Sequence, residues 1–332
     1  MTNAHSHSRN ALALIATTAV FLALPGCGSS SGKSSAEATF EKTYSVDGPA
    51  HLELTIGSGD TVITVGQPGS IHVKGEVSVQ SWSTESGQKR ANELTANPPI
   101  SQQGNLVRIG ESSGSMNNVS IDYTIEVPPD TALRASNGSG DLEANGIKGP
   151  ADITLGSGSA KLSSIGSDVQ VRAGSGDIEI SEVSGQITGN AGSGGVKFSN
   201  VKGAVRFETG SGDVEVTNPG NTVELNTGSG NVTVSNATAD VRAHTSSGDV
   251  DLSGDPGGMN YWDVRTGSGN VTLGVPSSSS LRLYARSGSG DIESDLPLSM
   301  EGTNDKHELR AKLGDGKARV EVETSSGSIT LK

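Results

Sequence analysis

The chain has one cysteine in 332 residues, Cys27, so no internal disulfide can form. Aromatic residues make up 3%, so any core must be aliphatic, built from Val, Ile and Leu. The apolar fraction of 32% is low for a compact globule and suits a thin body with a narrow core. Basic residues are outnumbered: the net charge is −13, and no basic stripe exists to displace counterions from phosphates. This excludes nucleic acid as a partner. His51, His72, His244 and His307 are scattered without metal-ligand spacing, so neither metal nor cofactor is expected. There is no phosphate loop ahead of a helix and no G-x-S-x-G elbow. The one sustained apolar run, Ala11 to Ala23, is too short to span a bilayer and matches a signal-peptide core.

Glycine, in contrast, is plentiful at 46 residues, and it is periodic. A Gly-Ser-Gly triplet begins at Gly138 and recurs every 18 residues at Gly156, Gly174, Gly192, Gly210 and Gly228, with a Ser-Ser-Gly at Ser246. Looser repeats start at Gly267, Gly288 and Ser325, and one outlier stands at Gly57. A period this short cannot describe independent domains; it describes coils that bury apolar surface only by stacking. Within each coil, positions five and seven are apolar (Ile178/Ile180, Val214/Val216), as are fourteen and sixteen (Val169/Val171, Val223/Leu225). Two runs of period-two alternation mean two half-buried strands per coil. The expected class is all-β: a single-stranded parallel β-solenoid (β-helix) with 18-residue coils. About nine coils at ~4.8 Å each give a body roughly 40–45 Å long.

Two charged columns test this register. Position six reads Glu143, Lys161, Glu179, Lys197, Glu215, so opposite charges fall on neighbouring rungs. Position fifteen does the same with Arg206, Glu224 and Arg242. In the triplet, glycine is expected to supply positive φ and serine to bridge backbone groups of adjacent turns. Position four is commonly Asp or Asn (Asp141, Asp177, Asp213, Asn231, Asp249, Asn270, Asp291). This resembles calcium-binding rolls, but one acid per turn, interrupted at Ser159 and Gly195, falls short of six or more oxygens per ion. Turn capping is the expected role.

Four segments follow. Residues 1–26 read as a lipoprotein signal peptide, because Leu24-Pro25-Gly26-Cys27 resembles the bacterial lipobox and makes Cys27 a lipidation site. Residues 27–38, rich in Gly, Ser and Ala, read as a flexible tether. Residues 39–135 form a β-rich N-terminal cap, with one polar helical stretch at Ser83–Ala96 stopped by Pro98-Pro99. Residues 136–332 form the solenoid, closed by a C-terminal cap in which His307–Leu313 and Ala318–Thr324 make a hairpin around Gly314-Asp315-Gly316.

The stretch Val119–Asp130, the recurring Gly-Ser-Gly coils, Leu313–Gly316 and Ser325–Leu331 together resemble the putative-adhesin β-strand-repeat family of bacterial envelope proteins. That resemblance implies a parallel β-solenoid in an exported or membrane-attached protein, and no catalytic residues. The leading expectation is a non-enzymatic, lipid-anchored envelope protein, with the membrane as partner through its anchor and a glycan or surface protein as ligand. Gly28 in place of Asp after the lipidated cysteine points to the outer membrane or cell surface. A polysaccharide-acting β-helix lyase or hydrolase is the alternative; a periplasmic scaffold or regulator is another. The candidate ligand-contact loop holds Asp255, Tyr261, Trp262 and Asp263, the best aromatic–carboxylate cluster in the chain. Its competing role is a Pro-Gly-Gly loop with an aromatic cover over the core.

Overall fold

The computed structural model describes residues 34–110, 117–302 and 304–332; the signal segment, Cys27 and the start of the expected tether lie outside them. The fold is a β-solenoid of two facing sheets, one of 14 strands and one of 15. Each regular coil gives one strand to each sheet. Leu142–Asn145 and Ala151–Ser157 make one such coil, and their side chains alternate buried and exposed. Successive coils pair in parallel at identical positions: Ala160 meets Ile178, Leu162 meets Ile180, and Ile165 meets Val183. The core is therefore a continuous strip of aliphatic columns. Phe198 and Phe207 meet edge to face across it at 5.2 Å. Each buried Val, Leu or Ile contributes about 1.5–3 kcal/mol, so stacking is the chief source of stability. The charged columns lie in register as expected, and Lys197–Glu215 and Arg206–Glu224 close to 3.5 and 3.4 Å.

The triplet turns are held differently from expectation. Their serines stand outward in an exposed column, and one hydroxyl contact is present, Ser193 to Ser175 at 3.3 Å. The bridging falls to the following Asp or Asn. Oδ1 of Asp141 accepts the Ser159 N–H at 2.8 Å, Asp177 accepts that of Gly195, and Asp213 that of Asn231. Asn231 and Asp249 continue the ladder. A carboxylate engaged in this way caps the next turn, which is the role the spacing implied. Glycine is needed twice over: Gly158 has φ +127°, and a Cβ there would lie 2.1 Å from the Gly140 carbonyl oxygen. A second column went unread in the sequence. Ser164, Glu182, Asn200, Asn218 and Asn236 all turn in mid-coil with φ between 53° and 61°. Asn tolerates this region best, and the Asn amides chain together at 2.9 and 2.7 Å.

Both ends depart from a simple sequential stack. The outlying Gly57 triplet belongs to a true first coil: Leu52 pairs with Leu133 and Ser58 with Ser139. The long excursion after it forms the next rung outward, Leu106–Gly110 and Val119–Val127. A boundary at 135/136 thus cuts through the Ala132–Ser139 strand of a continuous ladder. The expected helix is present as Thr84–Ala96, capped by Ser83. Part of the expected tether is instead structured. Ser34–Ser45 is a strand antiparallel to Ser70–Ser81, and it seats Phe40 over Gly75, where a Cβ would lie 2.2 Å from the ring.

The expected C-terminal hairpin does not form. Leu281–Ser287 lies between its two strands, antiparallel to Glu308–Leu313 and parallel to Ala318–Ser326. Ala318–Ser326 in turn pairs with Tyr261–Ser268. In the facing sheet, Ile329–Leu331 lies between Val271–Gly274 and Ile292–Ser294. The last coil of the chain is therefore an interior rung. The chain skips one rung across Val275–Ser280 and returns later to fill it with Val320, Val322, Ile329 and Leu331, all fully buried.

Candidate functional site

This out-of-order rung assembles the most functionally dense surface among the described residues. Five neighbouring strands form the C-terminal part of the 15-stranded sheet. Alternation sends their polar side chains outward. Val241–Ser247 presents Arg242 and His244, and Tyr261–Ser268 presents Tyr261, Asp263 and Arg265. Ala318–Ser326 presents Arg319, Glu321 and Glu323; Leu281–Ser287 presents Arg282, Tyr284 and Arg286; Glu308–Leu313 presents Glu308, Arg310 and Lys312.

The register places Asp263 beside Glu321, two like charges on adjacent strands. Each is neutralised by its own partners. Asp263 accepts from Arg265 Nε at 2.8 Å and lies 3.3 Å from His244 Nε2, outside hydrogen-bond geometry. Glu321 accepts from the Tyr261 hydroxyl at 2.5 Å and from the Arg319 guanidinium. These contacts set the protonation states. The Tyr261 hydrogen bond, with Arg319 and Arg265 nearby, holds the Glu321 carboxyl below its ordinary range. Desolvation, reinforced by the bond to Glu321, pushes Tyr261 up to about 12. Arg319 lies over the Tyr261 ring and Arg310 over the Tyr284 ring, at 5.6 and 5.3 Å.

The four candidate residues read from the sequence separate. Tyr261 and Asp263 join this face. Trp262 points the other way: it is fully buried, and its Nε1 donates to the Ala239 carbonyl at 2.7 Å. Its ring is a core element, with no face left for a sugar. Asp255 follows the Val250–Gly254 strand of the opposite sheet, where it accepts from Ser279 Oγ at 2.9 Å. Glu321, Glu323, Arg319, Tyr284 and Arg286 were missed, because the returning rung brings them in from distant sequence. Their only trace in the sequence is strict alternation, as in Arg319-Val-Glu321-Val-Glu323.

Beside the network, His244, Arg265, Arg286 and Glu323 line a shallow cavity of about 560 Å³, floored by the turn residues Gly267, Gly288 and Ser325. A smaller one of about 420 Å³ lies at the other end of the same sheet, around Glu53, Arg134 and Asp152. Among the described residues no group of three or more His, Cys, Asp or Glu is placed to hold a metal ion. No helix among them is long and apolar enough to cross a membrane.

A family model described as Toastrack DUF4097 matches residues 50–332. No curated protein matches the chain. Solved structures that resemble it include a putative cell adhesion protein from Clostridium sporogenes, at 16% identity and a TM-score of 0.24, covering 88% of this chain and 98% of that one. Another is a putative lipid binding protein from Parabacteroides distasonis, at 10% identity and a TM-score of 0.31, covering 89% and 96%.

Proposed function

The chain belongs to the Toastrack DUF4097 family, and from that premise we propose that it is a non-enzymatic, lipid-anchored protein of the cell envelope. Its solenoid is a rigid body held out for binding. The observation that carries the anchored reading is the place of the Ser34–Ser45 strand. Ser34 pairs with Ser81, and the next residue, Trp82, is 84% exposed. The chain from Cys27 to Ser34 can reach at most about 25 Å. A lipid on Cys27 would hold Trp82 near the bilayer surface, where Trp side chains are enriched.

The non-enzymatic reading is supported by the state of the acid–base groups. Glu321 is held as a carboxylate and Tyr261 as a phenol across the neutral range. Asp263 is tied to Arg265 and Asp255 to Ser279, so the two carboxylates of the candidate loop do not converge on a common point. General acid–base chemistry on a glycosidic bond needs two such groups facing one substrate.

The test is protease treatment of intact cells, comparing the natural protein with Cys27→Ala. The expected result is a membrane-bound solenoid cleaved on intact cells, and a Cys27→Ala protein that leaves the membrane fraction. Equal membrane retention of both would overturn the lipid anchor; protection of the natural protein until the envelope is opened would overturn surface display.

A further inference from the structure

The geometry points to the C-terminal face of the 15-stranded sheet as a binding site for an acidic polysaccharide bearing about one carboxylate per disaccharide. This rests on the binding role proposed above and adds the ligand class.

Charge is the first observation. The chain as a whole carries −13. The outward positions of the five strands described above nevertheless hold seven Lys or Arg against four Asp or Glu. Depth sharpens the contrast. The carboxylate side chains of Asp263 and Glu321 are 10% and 16% exposed, whereas their partners Arg265 and Arg319 are 48% and 70% exposed. The acids are tucked against the sheet and the cations stand over them, so the face offered to solvent is positive. Arg242, Arg286 and Lys312 have no ion-pair partner among the described residues, which leaves their charge available to a ligand.

Spacing is the second. Arg265 and Arg286 both pair in register with Glu323, one from each side. They are therefore two rungs apart, roughly 10 Å at the strand spacing of a sheet. That is about the length of a disaccharide unit. The column reads cation, carboxylate, cation, and the cavity opens onto these three side chains and His244. Guanidiniums match sugar carboxylates in bidentate geometry. Glu323 between them can accept from the hydroxyls of the intervening neutral sugar. The cavity is of a size that holds small ligands. Nothing on the outward Glu143–Glu215 column of the opposite sheet resembles this; its charges alternate and cancel.

The experiment is binding of the purified full-length mature protein to immobilised hyaluronan, dextran and inorganic polyphosphate at low and high salt. Hyaluronan is expected to bind, with affinity falling as salt rises. Dextran, which lacks charge, and polyphosphate, which lacks sugar, are expected to bind at least about tenfold more weakly. Arg286→Ala and Arg242→Ala are each expected to weaken hyaluronan binding about tenfold. Arg286→Lys is expected to restore part of it, and Lys161→Ala on the opposite sheet to leave it unchanged. Unchanged melting temperatures would exclude unfolding as the cause. Equal binding of dextran, insensitive to Arg286→Ala, would overturn the acidic class while leaving a binding role in place. Equal binding of polyphosphate would overturn the sugar assignment, and absence of hyaluronan binding would overturn the site.

Discussion

Two alanine substitutions at equivalent triplet positions should change stability in opposite directions. Gly57 and Gly156 both open a Gly-Ser-Gly triplet, and neither has a positive φ. A Cβ on Gly156 would lie 2.6 Å from the Gly138 carbonyl oxygen of the rung before it, whereas one on Gly57 meets nothing within 4 Å. Gly57 is free because the rung outside it, Leu106–Gly110, carries no triplet. Relieving the Gly156 overlap means moving one backbone away from another by several tenths of an ångström in a stack whose rungs are mutually registered. Overpacking of this kind costs about 1–3 kcal/mol. At Gly57 the folded state is indifferent, and Ala restricts the unfolded chain, which stabilises by about 0.4–1 kcal/mol. Urea unfolding followed by far-UV circular dichroism would read both. Gly156→Ala should lower the midpoint and Gly57→Ala should raise it slightly. If both fall equally, the constancy of the triplet glycine arises from something other than the stacked carbonyl, and the turn argument is wrong.

Three further outcomes are expected. Glu321 has a folded pKa below its ordinary value of 4.5, so it stabilises fully above that value and progressively less as pH falls below it; Glu321→Gln should flatten the acid limb of the stability profile measured by thermal melts. Tyr261 has a folded pKa raised from 10.0 to about 12, so its contribution is complete below pH 10.0 and lost as pH rises towards about 12; burial raises Tyr123 and Tyr44 too, so spectrophotometric titration should show several late-ionising tyrosines, and Tyr261→Phe should remove the one that ionises near 12. Trp262→Ala should cost about 3–5 kcal/mol in a denaturant midpoint and leave hyaluronan affinity intact in protein that remains folded, since its ring faces the core rather than the ligand.

The coils were legible because burial has a period. Val214, Val216, Val223 and Leu225 alternate in the sequence and are buried in the structure, and the Glu/Lys column lies in the register that the triplet spacing sets. What periodicity cannot specify is the rung a segment occupies. Ala318–Ser326 reads as a strand with one apolar face wherever it is placed, and the Gly314-Asp315-Gly316 link suggests a hairpin. Only the vacancy left between Tyr261–Ser268 and Leu281–Ser287 decides that it goes inside. The same blindness hid most of the candidate site. Tyr261 and Asp263 were visible as neighbours in sequence, but Glu321 and Arg286 reach them only through that insertion. Trp262 was misplaced for a simpler reason. Residues adjacent in a strand face opposite ways, so Tyr261 and Trp262 could never share a surface.

The interior position of the final coil also sets an order of events in time. A polypeptide that emerges N-terminus first can lay down coil upon coil from Ala132 as far as Gly274 by simple accretion. Beyond that point accretion stops: the Leu281–Ser287 strand can pair with Glu308–Leu313, but nothing joins it to the stack until Ala318–Ser326 has settled between it and Tyr261–Ser268. Closure of that end therefore waits for residues 318–331, and it stays open until they have emerged and docked. A molecule cut short before Ala318 would lack the rung that joins this end to the stack and would expose two bare strand edges, those of Tyr261–Ser268 and Val271–Gly274. Limited proteolysis of chains ending before Ala318 should find that end digestible while the earlier coils remain protected.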